Sequence, residues 1–337
     1  MKRAGHLFER VTAWGNLCDA ARKAARGKTS RPAVARFLFY LEPELLALQE
    51  ELLAGWWQPR PYSTFDIRDP KPRRISAADF RDRVVHHALM NVLDPYFERA
   101  LFAHSYACRR GKGTHAAVLY AQRQARRYPY FLKGDVDRCF ETVDLGVLKA
   151  LLRRLFKDRR LLELLDRIID APGSTTQPGR GLPIGNLTSQ YFANHLLGEL
   201  DRFVKETLRV TGYLRSMDDF LLFGLDKPGL HRQLARIRGF LAESLGLRLK
   251  EEVSFVAPVR AGIPFLGFRV FPGMVRLQGA RWRRMRRKIR RREQAFRDGE
   301  ITAEELSCSV RSSIAHLEHA ATRRLRRRFF EDSMALG

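Results

Sequence analysis

Tyr213-Leu214-Arg215-Ser216-Met217-Asp218-Asp219-Phe220-Leu221-Leu222-Phe223 is the stretch that decides the fold. Two apolar arms flank a short polar turn with adjacent aspartates, the signature of a β-hairpin that carries acids at its tip. Most aspartate pairs in turns are solvated surface residues. Here the apolar flanks predict a hairpin buried in a sheet, where adjacent carboxylates repel each other unless a cation neutralises them. Working outward, Tyr130-Phe131-Leu132-Lys133-Gly134-Asp135-Val136 reads as a second apolar strand, ending in a carboxylate 83 residues before Asp218. Three carboxylates at strand ends suit hard cations that favour oxygen ligands, above all Mg²⁺. Two such ions held about 4 Å apart activate an attacking hydroxyl and stabilise a leaving pyrophosphate.

Composition points to a polyanionic partner. Lys and Arg number 62 against 37 Asp and Glu, a formal charge of +25. That excess costs stability through self-repulsion, so it answers nucleic acid first and an anionic membrane second. A chain of 337 residues with 45% hydrophobic content is neither disordered nor one small domain. No run approaches the ~20 apolar residues of a membrane span, and Met1-Lys2-Arg3 leads into no signal-peptide core, so a soluble cytoplasmic protein is expected. Cys18, Cys108, Cys139 and Cys308 are scattered, which argues against zinc and disulfides and for reduced packing residues.

Along the chain, helical spacing covers the first fifty residues, and proline-rich alternation over 56–75 predicts strands joined by turns. Helices are expected over 78–93 (ending before Pro95), 114–126, 145–169, 187–208 and 230–244, with short strands over 247–250 and 265–270. From Ala280 the chain becomes a basic helix with nine Lys/Arg between Arg281 and Arg292, and Trp282, Met285, Ile289 and Phe296 fall on one face. Gly111-Lys112-Gly113-Thr114 lacks the spacing of a phosphate loop, which argues against an ATPase.

With these residues assembled, the sequence resembles reverse transcriptases, and among them those of diversity-generating retroelements, from about Trp14 to the last residues given. Phe131 to Phe140 resembles the first palm motif, which implies that Asp135 binds metal and that Phe140 is the gate against a ribonucleotide 2′-OH. Tyr213 to Phe220 resembles the second catalytic motif, with Ser216 where an aromatic Tyr is usual. The resemblance implies that Asp135, Asp218 and Asp219, with the Val136 carbonyl, hold two Mg²⁺ ions, for which Mn²⁺ can substitute. Gly181-Leu182-Pro183-Ile184-Gly185-Asn186-Leu187-Thr188-Ser189-Gln190 carries the sub-family signal. Retroviral and group II intron enzymes have Gln before the glycine and Pro after the serine, whereas Ile184 and Gln190 match the diversity-generating branch. Ile184, Gly185 and Gln190 are then contacts of the incoming nucleotide. An apolar Ile offers shape without hydrogen bonds, which weakens base discrimination and fits the branch's misincorporation opposite template adenines.

The same resemblance makes Lys71 and Arg73 triphosphate ligands, with Arg74 the alternative to Arg73. It makes Lys250 the candidate acid for the pyrophosphate and Phe265, Leu266 and Gly267 a primer grip. The basic end resembles a thumb in which Arg281, Arg284, Arg287, Lys288 and Arg291 contact nucleic-acid phosphates without reading sequence. The expected fold is an α+β right-hand polymerase: N-terminal helices and fingers (1–128), an antiparallel-sheet palm (129–272) and a basic helical thumb (273–337). Implied partners are a template-repeat RNA, the RNA/cDNA duplex, dNTPs and a small oligomeric accessory variability protein. The alternatives are another prokaryotic reverse transcriptase, group II intron-like or retron-like, or a non-catalytic RNA-binding scaffold with a polymerase fold.

Overall fold

The computed structural model describes residues 3–68, 72–171, 178–317 and 320–323, together with 325, 327 and 329. Four N-terminal helices (α1, Phe8–Thr12; α2, Trp14–Ala25; α3, Pro32–Phe39; α4, Leu41–Ala54) precede an antiparallel ribbon of β1 (Ser63–Ile67) and β2 (Arg73–Ala77). The long helix α5 (Phe80–Ala100) and α6 (Thr114–Ala125) lead to β3 (Tyr130–Asp135). The short α7 (Cys139–Thr142) follows, then α8 (Leu145–Leu155), α9 (Arg159–Asp170) and α10 (Leu187–Arg202). Next come the hairpin of β4 (Gly212–Ser216) and β5 (Asp219–Gly224), α11 (Lys227–Leu245) and β6 (Phe255–Pro258). Strands β7 (Ile263–Phe265), β8 (Phe268–Val270) and β9 (Val275–Leu277) form a small sheet, and α12 (Gly279–Arg297) and α13 (Ala303–Leu317) follow it.

The central sheet is antiparallel in the order β4–β5–β3–β6. Successive strand residues point to opposite faces, and here both faces are covered. Leu132, Tyr213, Phe220 and Leu222 join the large core shared with α5, α10 and α11, while Phe131, Leu214, Leu221 and Phe223 join a second core with α6 and β7–β9. Double coverage explains why Phe220-Leu221-Leu222-Phe223 is apolar without alternation. Because Ala117, Val118, Ala121 and Ala125 of α6 belong to that second core, the expected boundary at 128/129 does not separate two cores.

Several elements differ from their sequence expectation. Helix α5 runs through Pro95 to Ala100, although proline removes an intrahelical hydrogen bond. Pro95 is exposed, and packing of Phe97 beyond it holds the helix, with ring centroids 5.7 Å from Phe156 and 5.6 Å from Tyr191. The helix expected over 145–169 is two, because Asp158 starts α9. One of its oxygens accepts from the Leu161 N–H at 3.3 Å and the other from the Leu7 and Phe8 N–H groups at 2.8 and 2.9 Å. Residues 247–250 make one bridge, Leu249 to Val136, instead of a strand. The helix expected over 187–208 leaves α-geometry after Arg202 in a π-helical turn, Phe203–Thr207. Among the described residues no helix is long and apolar enough to cross a membrane.

Asp82, buried in the first turn of α5, accepts the Arg60 N–H at 2.8 Å, while its other oxygen has no hydrogen-bond partner among the described residues. Burial pushes its carboxyl up to about 6. Since the unfolded value lies near ~3.9, the fold favours the protonated acid. The resulting stabilisation is fully present below the unfolded value and is lost as pH rises through about 6. Asp82→Asn should therefore raise the melting temperature at pH 7 by roughly 2 °C or more and leave it little changed at pH 4. A fall at pH 7 would contradict this.

Candidate active site

Gly134 sets how closely the two acidic strands approach. A Cβ at this position would lie 2.1 Å from Cζ of Phe220, so the Phe220 ring fills the space that a side chain would take. That packing accompanies a register in which Gly134 faces Phe220 and Asp135 faces Asp219. At the tip, Ser216 pairs with Asp219 across a two-residue turn of Met217 and Asp218. Met217 has φ +58°, the left-handed conformation that such turns favour in glycine. The Val136 N–H donates to the Asp218 carbonyl at 3.1 Å, joining the two acidic segments backbone to backbone. On the other side, the Lys250 N–H donates to the Asp135 carbonyl at 2.8 Å and the Asp137 N–H to the Arg248 carbonyl at 2.8 Å.

The aspartates are brought together, but not as one triad. Lys133 lies two residues before Asp135 on the same face of β3, diagonal to Asp219. Its Nζ meets Asp219 Oδ1 at 2.9 Å, with only 12% and 14% of the two side chains exposed. Among the described residues no three His, Cys, Asp or Glu groups converge as metal ligands. In this arrangement the Asp219 carboxylate, expected with Asp135 and Asp218 to hold metal, is partnered by a lysine of the neighbouring strand. Burial pushes the Asp219 carboxyl up to about 6 against the opposing pull of Lys133. Asp218 is also raised, first by burial and then by the charge of Asp135. The charge of Asp135 opposing a buried Asp218 carboxylate is a strain that a hard cation would relieve, so these aspartates fit a divalent metal.

Arg73, exposed at the start of β2, lies near enough for its charge to lower the Asp218 pKa, which favours Arg73 over Arg74 as the basic group facing the acids. Lys71 lies outside the described residues. The loop carrying Ile184 is hydrogen-bonded on both sides: Gly181 and Leu182 N–H donate to the Val143 and Phe140 carbonyls at 2.8 and 2.6 Å, and the Ser76 N–H donates to the Ile184 carbonyl at 2.8 Å. Phe140 is half-buried, and Gly185 and Gln190 are exposed. Gln190 Oε1 accepts from the Cys108 thiol at 3.5 Å. Cys139, buried beside Asp218 and Asp135, has its thiol pushed up to about 12 by burial first, so it stays neutral.

The distal candidates make structural contacts of their own. Phe265 is fully buried in the second core, so the side chain serves packing, and what the β7–β8 hairpin presents is its turn, Leu266 and Gly267. Arg281 is engaged in the fold: its Nη1 donates to the Leu266 carbonyl at 2.6 Å and its guanidinium sits 5.4 Å from the centroid of the Phe268 ring. Gly267 has φ +82°, which favours glycine, and the space a Cβ would take there is filled by the end of the Arg281 side chain, with Nη1 at 2.1 Å. Arg284 is half-buried, whereas Arg287, Lys288 and Arg291 are exposed on α12. Sequence reasoning also missed Lys133, whose signal is a lysine at i−2 of Asp135. It missed the buried pair Arg215–Asp201 as well, signalled by an arginine inside an otherwise apolar strand.

Breaking a largely buried ion pair from one side strands the other charge, at a cost of about 3 kcal/mol. Lys133→Met should therefore destabilise the protein by about that amount in chelator-treated samples, and Lys133→Met with Asp219→Asn should recover most of it. Denaturant unfolding of the four-member cycle measures both. Equal stability of wild type and Lys133→Met would show that the pair contributes nothing.

Residues 67–270 match the family model "Reverse transcriptase (RNA-dependent DNA polymerase)". Protein YkfC of Escherichia coli (strain K12) is 27% identical over 276 residues, covering 68% of this chain and 72% of that protein. The group II intron-encoded protein LtrA of Lactococcus lactis subsp. cremoris is 24% identical over 172 residues, covering 49% of this chain and 29% of LtrA. Nuclear intron maturase 1, mitochondrial, of Arabidopsis thaliana is 34% identical over 99 residues, covering 28% of this chain and 14% of the maturase. Among solved structures, apo telomerase from Candida tropicalis aligns at 12% identity and a TM-score of 0.49, covering 66% of this chain and 49% of that one. The family match spans more than half of the 337 residues, and the chain belongs to the reverse transcriptases, the RNA-dependent DNA polymerases, with relatives of the group II intron type.

Proposed function

We propose that this reverse transcriptase extends a primer 3′-OH on an RNA template at the Asp135–Asp218 pair, with Mg²⁺ as its metal and Mn²⁺ as a substitute. The observation that carries this reading is the β3–β5 register, which sets Asp135 opposite Asp219 with Asp218 at the turn. Magnesium held by Asp135, Asp218 and Asp219, with the Val136 carbonyl, would supply the charge that activates the attacking hydroxyl and neutralises the leaving pyrophosphate. The protein's own part is to position. Arg73 and Lys71 bind the triphosphate, Phe140 sits where a 2′-OH would point, and the Ile184–Gly185 loop with Gln190 shapes the base-pair pocket. Asp219 keeps Lys133 beside the acids, and Lys250 follows on the segment bonded to Asp135. Residues 1–128 serve as N-terminal helices and fingers, 129–272 as palm and 273–337 as thumb. Leu266 and Gly267, braced by Arg281, support the primer end. Arg284, Arg287, Lys288 and Arg291 hold duplex phosphates, so binding should weaken steeply with salt.

In its finer form the reading is copying of a template-repeat RNA into adenine-mutagenised cDNA, in a cytoplasmic complex with a small oligomeric accessory protein. Ile184 and Gln190 support it, because an apolar residue beside the nascent pair leaves fewer hydrogen bonds with which to reject a mismatch. The intron-type relatives favour a second reading, in which the copied RNA is that of an intron.

Primer extension on an RNA template with Mg²⁺ tests the activity. Wild type should incorporate dNTPs, and Asp218→Ala should lose at least about a hundredfold in rate, the scale on which deleting one electrostatic stabiliser acts. Equal rates would refute the site. Sequenced products separate the branches: errors concentrated opposite template adenines support the diversity-generating reading, and errors spread evenly over the four bases contradict it.

A further inference from the structure

Behind the acidic turn lies an arginine with no access to solvent. Arg215 and Asp201 are both completely buried, and their side chains form a bidentate pair, Nε to Oδ1 at 2.7 Å and Nη2 to Oδ2 at 2.6 Å. The Tyr213 hydroxyl donates to Asp201 Oδ1 at 2.6 Å. The guanidinium then reaches outward: Nη1 donates to Asn194 Oδ1 at 2.8 Å and to the Met217 carbonyl at 3.2 Å, and Nη2 to Ser105 Oγ at 3.1 Å. One planar group therefore links α10, the segment before α6 and the turn that carries Asp218. A buried ion pair is weak evidence for stability, since apolar replacements are often as stable. Its directional contact with Met217 is what an apolar pair could not supply. Met217 is held at φ +58°, a conformation that costs a non-glycine residue free energy and persists only where its surroundings enforce it.

We propose that Arg215, fixed by Asp201, is a positioning residue that clamps the Met217 carbonyl and so holds the left-handed turn that aims Asp218 at Asp135. The proposal rests on the polymerase reading for its kinetic consequence, but not for its structural one. Arg215 touches no substrate in this scheme; it acts through Met217.

The test removes the clamp without stranding a charge. In Arg215→Leu with Asp201→Asn the core stays neutral, and Tyr213 keeps an oxygen acceptor at position 201. Amide hydrogen exchange of the full chain is the readout that a merely structural role would not move. The Val136 amide, bonded to the Asp218 carbonyl, should exchange at least about tenfold faster, while the Leu132 and Leu222 amides of the same sheet stay within about threefold of wild type. Single-nucleotide incorporation should fall about tenfold in kcat with KM for the nucleotide nearly unchanged. Adding Met217→Gly, which relieves the positive φ, should restore part of both signals. Should the double variant be too unstable for exchange, Arg215→Lys keeps the charge, loses the forked geometry and should give the same selective exposure of Val136. Val136 protection at the wild-type level in either folded variant overturns the clamp, as does acceleration that is uniform across the sheet. If wild type incorporates no nucleotide, the polymerase reading fails, and the exchange result still decides the clamp.

Discussion

The contact between Gly134 and the Phe220 ring lets an apolar sheet carry two acidic strand ends at hydrogen-bonding distance. Without a side chain at 134, the ring fills the space a Cβ would take, and the β3–β5 ladder places Asp135 directly opposite Asp219. Like charges facing each other across a ladder are destabilising, and a sheet covered on both faces gives them little water. The arrangement holds because Asp219 and Asp218 are each eased from a different direction. Lys133 meets Asp219 from the same strand as Asp135, Arg73 approaches Asp218 from the β1–β2 ribbon, and the Asp218 backbone is tied to Val136. Burial and the charge of Asp135 still raise the Asp218 carboxyl, an opposition that a hard cation would relieve.

The basic excess is divided in the same way between structure and surface. Arg215 is spent entirely inside the core, and Arg281 braces the turn at Leu266, whereas Arg287, Lys288 and Arg291 face outward. Helix α12 buries Ile289 and sets Trp282 edge-on to Phe329, with ring centroids 5.7 Å apart, so its basic residues are displayed from an anchored face. A net charge of +25 is thus partly structural, and only the outward share is available to a polyanion.

Much of this was legible in the residues. The apolar arms around Asp218-Asp219 and the run before Asp135 located the central hairpin and its neighbour, because strands covered on both faces leave long apolar stretches. Helix boundaries were less legible where packing overrode local chemistry. Pro95 sits within α5 because Phe97 beyond it is held among Phe156, Tyr191 and Phe192. The site's side-chain pairings were least legible. That Lys133 reaches Asp219 depends on a register set 86 residues away, and that Arg281 caps Leu266 depends on a left-handed turn whose φ no composition reveals. The family motifs mark Asp219 beside Asp218 but give no sign of its contact with Lys133. Phe265, read as a primer contact, turned inward because alternation along β7 gives it to the core.

The Asp135–Asp218 pair as the cation site is tested most directly by titrating chelator-treated protein with Mn²⁺ and following the free ion by electron paramagnetic resonance. Wild type should take up Mn²⁺, with Mg²⁺ competing for the same site. Asp135→Asn should weaken uptake by at least about tenfold, the loss that even changes beyond the direct ligands bring to metal sites. Binding of Mn²⁺ by Asp135→Asn with wild-type affinity would contradict the assignment.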